Sequence, residues 1–241
     1  SEQGRLDILV NNAFASPDLP SEDITKPFWE LGAAAWDPVH SVGLRSHYIA
    51  SSMAVPLMQS KGDSSADGLI VHVSSWGGNG YIFNLAYSVG KGGVDRLAKD
   101  MHLELRKARL PRRVSVISMY PGVVKTEKVQ NMIKTGEWDK NMMKTDPSTM
   151  ESPQFAGRAV VALSKDPVKA SEKSGTVQVV AELAREFGFS DISGQQPPSV
   201  RSLQFLQKNY NILPVPAPFI PADLKLPFFV MAQGPPDDIM D

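Results

Sequence analysis

Residues 69–91 read Leu69-Ile70-Val71-His72-Val73-Ser74-Ser75-Trp76-Gly77-Gly78-Asn79-Gly80-Tyr81-Ile82-Phe83-Asn84-Leu85-Ala86-Tyr87-Ser88-Val89-Gly90-Lys91. The run from Leu69 to Ser75 is almost continuously apolar, the pattern of a strand covered on both faces. Glycines at 77, 78 and 80 then break it. From Tyr87 onward Val94, Leu97, Ala98, Met101 and Leu105 form one apolar stripe at helical spacing. Strand, glycine-rich turn and helix in that order are one half of a βαβ unit.

The same alternation extends in both directions. Leu6–Ala13 reads as a further strand buried on both faces, ending in Asn11-Asn12. Ser16–Pro20 and Lys26-Pro27 are loop signals, and Trp36–Met58 reads as a helix. Downstream, Val114–Tyr120 is a third strand closed by Pro121-Gly122, and Gly175–Leu183 is expected to be a fourth. Between them Ala156–Leu163 reads as helical, whereas Thr126–Phe155, with Met132, Met142, Met143 and Met150, has little helical periodicity. Strands separated by helices imply a parallel sheet with helices on both faces, an α/β fold. From Gln196-Pro197-Pro198 onward, prolines 214, 216, 218, 221 and 227 describe an extended tail. The expected organisation is a domain over residues 1–195 and a proline-rich extension over 196–241.

Composition narrows the function classes. The 241 residues carry a net charge of -1, which gives no basis for holding nucleic acid or an anionic membrane. No cysteine is present, so disulfides, thiolate metal sites and cysteine nucleophiles are excluded. No apolar stretch has the length and purity of a membrane span. His40 and His47 have no third ligand in sequence reach, so no metal is expected, and His72 and His102 read as structural.

The chemistry concentrates at strand ends. Tyr87 and Lys91 are four apart at the start of a helix, which places them on one face. An ammonium there favours a phenolate, so a lowered tyrosine pKa and acid–base chemistry near neutral pH are expected. The plainer alternative is a surface helix pair. Ser75 closes its strand at the C-terminal end, where open α/β sheets place ligands. Its hydroxyl can hold a substrate oxygen beside Tyr87, and the following glycines admit a close ligand. Asn11-Asn12-Ala13 and Pro121-Gly122-Val123-Val124-Lys125-Thr126 occupy the equivalent place after two other strands.

Taken together, Asn11-Asn12-Ala13, Ser75, Tyr87 with Lys91, and Pro121-Gly122 with Thr126 resemble the short-chain dehydrogenase/reductase (SDR) family. Within it, Val42-Gly43-Leu44-Arg45, Ser88-Val89-Gly90-Lys91 and Ala184-Arg185-Glu186-Phe187-Gly188 resemble the branch of dehydrogenase/reductase SDR family member 1. The resemblance covers residues 1 to about 195 and implies a Rossmann-like doubly wound parallel sheet, with strands 4–7 of the family retained. It implies an NAD(P)-dependent oxidoreductase acting on a carbonyl or secondary alcohol, with NAD or NADP as cofactor. Tyr87 would then exchange the proton at the substrate oxygen, and Lys91 would lower its pKa and hold the nicotinamide ribose. Ser75 would orient the substrate, Asn12 would lie against the ribose, and Val124 and Thr126 would lie near the carboxamide and pyrophosphate. A small carbonyl or alcohol substrate follows, as does a homodimer or homotetramer. The implied location is cytoplasmic or peripheral to an intracellular membrane.

Three departures from the family pattern stand out. Phe14 replaces the glycine of N-N-A-G, and Gly43 replaces the catalytic asparagine of V-N-L, for which His40 or Ser41 is the candidate substitute. No G-x-G-x-x-G or T-G-x-x-x-G-x-G occurs in the sequence. The expectation is therefore an N-terminally truncated fragment or short isoform that by itself binds NAD(P)H negligibly and is poorly soluble. The alternative function is a non-catalytic fragment acting as an interaction or dimerisation module.

Overall fold

In the computed structural model, residues 5–17, 23, 26–60, 67–138 and 145–231 are described. The central strand is β2 (Gly68–Val73), and Leu69, Ile70 and Val71 are buried whichever face they point to. It pairs in parallel with β1 (Ile8–Asn11) on one side and β3 (Val114–Tyr120) on the other, in the registers Leu9↔Ile70 and Ile70↔Val116. A short β4 (Val177–Val179) completes the order β1-β2-β3-β4. This is the α/β architecture with a parallel sheet that the alternating pattern implies.

Helices α1 (Phe28–His40) and α2 (Ser46–Gln59) are joined by a π-helical turn at Ser41–Arg45, where one helix over residues 36–58 was expected. α1 also begins earlier and is interrupted at Gly32, whose φ of +58° suits glycine. α3 (Leu85–Ala108) starts at Asn84, whose side chain accepts the Tyr87 backbone N–H at 2.9 Å, a standard N-cap. One face of the sheet is closed by α2 and α3. Ala54 and Met58, Ala98, and the strand residues Ile70, Val114 and Val116 form a single apolar cluster there. Glycine-rich α3 packs closely on its neighbours, since a Cβ on Gly90 would stand 2.9 Å from Val39 Cγ1 and one on Gly93 2.9 Å from Leu44 Cδ2.

β1 is not buried on both faces. Leu9 turns into the cluster, and alternation along the strand leaves Ile8 and Val10 on the other face, 38% and 43% exposed. The fourth strand does not run to Leu183. It stops at Val179, and Val180–Phe187 is a helix (α7, with α4, α5 and α6 at Glu127–Thr135, Pro153–Lys165 and Pro167–Glu172). Val180, Ala181, Leu183 and Ala184 are all buried, a one-face spacing that suits a helix, and Gly188 closes it at φ +70°.

The described chain divides into two compact units, residues 1–120 with 160–178, and residues 121–159 with 179–241. In the second, Val124 pairs with Glu151 in an isolated parallel bridge, and Asp191 accepts the Ser152 backbone N–H at 2.7 Å. The proline-rich stretch is not wholly extended. It contains α8 (Leu203–Tyr210), capped by Ser202, and α9 (Phe228–Met231), and Arg201 reaches Glu182 at 3.3 Å. Among the described residues no helix is long and apolar enough to cross a membrane.

Candidate functional site

Ser75 ends the loop after β2 in extended backbone, and its hydroxyl caps a short 3₁₀ turn over Trp76–Gly78 by accepting the Gly77 N–H at 3.1 Å. That turn returns the chain to the start of α3. Tyr87 then donates its hydroxyl to Ser75 Oγ at 2.8 Å. A hydroxyl offers two acceptor sites and one donor. With both acceptor sites of Ser75 occupied, its proton remains to be donated to a third oxygen.

One helical turn on, Lys91 is only 8% exposed and donates its ammonium to the Val73 carbonyl at 3.1 Å. Its Nζ lies 4.9 Å from the centre of the Phe14 ring and 5.9 Å from that of Tyr87. Phe14 and Phe83 both meet the Tyr87 ring edge-on, at 5.6 and 5.1 Å between centres. Burial lowers the Lys91 pKa to about 8, against an opposing pull from Asp95. Tyr87 moves the other way from the sequence expectation. Burial raises its pKa, with the Ser75 hydrogen bond lowering it only in part. The reason is local: the phenol is desolvated, and the ammonium is held by Val73 rather than by the tyrosine oxygen.

The glycines after Ser75 serve the protein itself as well. A Cβ on Gly77 would stand 2.5 Å from Tyr87 Cε1, and one on Gly78 2.2 Å from Asp95 Oδ2. They let the 3₁₀ turn lie directly on α3. Asp95 was missed in the sequence, although it stands four residues after Lys91 as Lys91 does after Tyr87. It accepts hydrogen bonds from the hydroxyls of Ser118 and Tyr120 on β3. Burial raises its pKa, and those hydroxyls lower it in part.

A second polar group is buried beneath the first unit's strand ends. Asn11 donates to Ser51 Oγ at 3.0 Å and meets His72 Nδ1 at 3.2 Å. His47 bonds the Ala13 carbonyl through Nε2 at 3.2 Å and stacks on His72, with 5.6 Å between centres. Desolvation lowers the pKa of both histidines, that of His72 to about 3. Asn12 beside them is exposed. His40 is engaged by its own helix: Nδ1 bonds the Trp36 carbonyl at 2.9 Å, and the ring stacks on Trp36. His102 bonds Ser174 at 2.8 Å, a structural tie between α3 and the chain entering β4. Among the described residues no group of three or more His, Asp or Glu is arranged to hold a metal.

Val124 and Thr126 belong to the second unit. Val124 is bridged to Glu151, and Thr126 caps α4 by accepting the Val129 N–H at 3.3 Å. Glu151 was not singled out in the sequence. It is 1% exposed, and its carboxyl approaches the Gly122 backbone amide without either oxygen forming a well-directed hydrogen bond. Burial raises its pKa to about 8. Of the four methionines between Thr126 and Phe155, Met150 is buried, Met132 half-buried, and Met142 and Met143 lie outside the described residues. Trp138 is a buried strut, its Nε1 donating to the Thr145 carbonyl at 3.0 Å. Tyr81 helps line an apolar cavity of about 630 Å³ in the first unit, with Phe28, Trp29, Leu31, Trp36 and Leu85.

Residues 1–137 match the short chain dehydrogenase family. Dehydrogenase/reductase SDR family member 1 of Mus musculus is 39% identical over 234 residues, 95% of this chain and 72% of that protein. Its Homo sapiens counterpart is 37% identical over 235 residues, 96% of this chain and 72% of that protein. A putative short-chain dehydrogenase/reductase from Burkholderia xenovorans superposes with a TM-score of 0.55 at 24% identity, over 73% of this chain and 63% of that one. A tyrosine-to-phenylalanine variant of ElxO with NADPH bound gives a TM-score of 0.58 at 22% identity, over 74% of this chain and 67% of that one. The chain thus spans about two thirds of these solved structures. A parallel sheet ending in a serine–tyrosine pair, with a buried lysine one helical turn on, accords with those matches: the chain belongs to the short chain dehydrogenase family.

Proposed function

We propose that this chain carries the acid–base machinery of an NAD(P)-dependent oxidoreductase that interconverts a carbonyl and a secondary alcohol. The observation that carries the reading is the 2.8 Å bond between Tyr87 and Ser75, with the Lys91 ammonium buried one turn along the same helix. In reduction, Ser75 donates its unused proton to the substrate carbonyl oxygen and fixes its position. Tyr87 turns its hydroxyl from Ser75 to that oxygen and delivers the proton there, a general-acid step. In oxidation the same atoms run in reverse. Lys91 spends one of its three N–H donors on Val73 and keeps two for a ribose hydroxyl beside Tyr87.

The residues present fit the nicotinamide–ribose end of such a cofactor. Tyr87, Lys91 and exposed Asn12 supply donors and acceptors there. When bound, the nicotinamide supplies or accepts the hydride. The NADPH held by the ElxO structure supports this cofactor class. The aromatic lining of the cavity beside Asn84–Ala86, immediately before Tyr87, favours a substrate with a flat apolar body. The experiment is to supply nicotinamide cofactor doubly deuterated at C4, in its NADH and NADPH forms, to the protein with aromatic ketones. Deuterium on the carbinol carbon of the product supports the reading; none with either cofactor refutes it.

A further inference from the structure

Position 43 lies inside the π-helical turn between α1 and α2 and is buried. π turns inside helices are frequent at functional sites. Gly43, however, has no side chain to aim. The space in front of it is filled from elsewhere: a Cβ built there would stand 3.2 Å from Phe14 Cδ2 and 3.7 Å from Phe14 Cε2. Any polar side chain longer than that Cβ would need the volume the ring occupies. The same ring lies under the Lys91 ammonium, 4.9 Å from Nζ to its centre, and meets the Tyr87 ring at 85° and 5.6 Å. Phe14 follows β1, Gly43 sits in the turn, and Lys91 and Tyr87 belong to α3, so one aromatic ring joins three elements.

We propose that Phe14 is a positioning residue for the Tyr87–Lys91 pair, and that Phe14 and Gly43 are a matched pair in which the ring takes the place of a side chain at 43. The inference rests on the proposed function only for the use to which Tyr87 and Lys91 are put. The π face of Phe14 offers the ammonium an electrostatic partner that needs no water. The edge contact fixes the tilt of the Tyr87 ring, and with it the direction in which the hydroxyl points. A bulky residue at 14 and a missing side chain at 43, which as separate departures look like two losses, are then one exchange.

The test has two arms, neither of which depends on turnover. In the first, Gly43→Asn is introduced with Phe14 present and with Phe14→Gly, and the denaturant midpoints of the four proteins are compared. Steric pairing predicts that Gly43→Asn is destabilising beside Phe14 and tolerated beside Phe14→Gly. Additive effects would overturn the pairing. In the second, Lys91 is followed by NMR of its 13C-methylated amine in the wild type, Phe14→Leu and Phe14→Tyr. Asp95 and Tyr87 on α3 and His47 on α2 are the other titratable groups acting on it, and all three stay unchanged. Phe14→Leu keeps most of the volume without the π face, so the Lys91 midpoint should fall by about one pH unit. Phe14→Tyr should restore it. An unmoved midpoint in Phe14→Leu would overturn the positioning role. A protein without oxidoreductase activity that still shows the coupling and the shift would refute the proposed function and leave this pair standing.

Discussion

Gly77 faces the edge of the Tyr87 ring so closely that a methyl group on it would stand 2.5 Å from Cε1 and 2.9 Å from Cδ1. The ring cannot stay where it is beside any larger residue. Gly77→Ala should therefore displace Tyr87, lengthen its bond to Ser75 and cost about 1–3 kcal/mol of stability. Turnover should fall by about tenfold or more, since misplacement of reacting groups is penalised steeply. Gly157→Ala is the matching control. Nothing lies within 4 Å of a Cβ there, and it sits inside α5, so it should gain roughly 0.5–1 kcal/mol with turnover unchanged.

Lys91 titrates at about 8 in the fold, against 10.5 for the free side chain. Between those values the unfolded chain binds the extra proton, so this group makes stability rise with pH from about 8 to 10.5. Lys91→Met should flatten that rise in denaturant midpoints measured across pH 7–10.5. It should leave stability at pH 7 unchanged or raised, because a buried charge is replaced by an apolar chain of similar volume.

His72 is fully buried and titrates at about 3, with His47 lowered beside it. Both are neutral in the fold and take up protons when it opens below the ordinary histidine value of 6.5. His72 should thus make stability fall as pH drops from 6.5 towards 3, by up to about 1.4 kcal/mol per pH unit, and His47 adds a fall in the same direction below 6.5. His72→Gln should remove about one proton from that dependence, read as the slope of unfolding free energy against pH.

Glu151 acts in the opposite sense. Its folded value of about 8 lies above the ordinary 4.5, so the fold holds a proton that the unfolded chain has lost. This residue makes stability fall as pH rises from 4.5 to 8, again by up to about 1.4 kcal/mol per unit. Glu151→Gln should abolish that fall and make the protein more stable than wild type at pH 8 and above. Gly122→Ala should be destabilising at every pH, because its Cβ would stand 2.8 Å from Glu151 Oε1.

What could be read from the sequence was what is local. Ser75, Tyr87 and Lys91 are placed by a strand end and one helical turn, and the fold bonds Tyr87 to Ser75 and buries Lys91 one turn on. Asp95 was equally legible, one more turn along the same face. The strand over Gly175–Leu183 misled because Val177–Val179 and the helix that follows are both short and apolar, and only the buried set Val180, Ala181, Leu183 and Ala184 separates the two periods. The direction of the Tyr87 shift was not legible, since spacing puts Lys91 beside the tyrosine but does not reveal that Val73 holds its ammonium. Nor were Phe14 and Gly43 readable as a pair, because their contact is made by the approach of β1 to the helical turn rather than by any sequence interval.

In the proposed reaction the Tyr87 hydroxyl exchanges the proton at the substrate oxygen. Its most direct test compares wild type with Tyr87→Phe, following nicotinamide oxidation at 340 nm in the presence of an aromatic ketone, with circular dichroism confirming the fold of both. The variant loses one hydroxyl and its bond to Ser75, so the fold should persist with a cost of about 1 kcal/mol. Turnover should fall by about 10²–10⁴-fold, the range for removing a general acid. A Tyr87→Phe protein that turns over at the wild-type rate would remove the Tyr87 hydroxyl from the reaction.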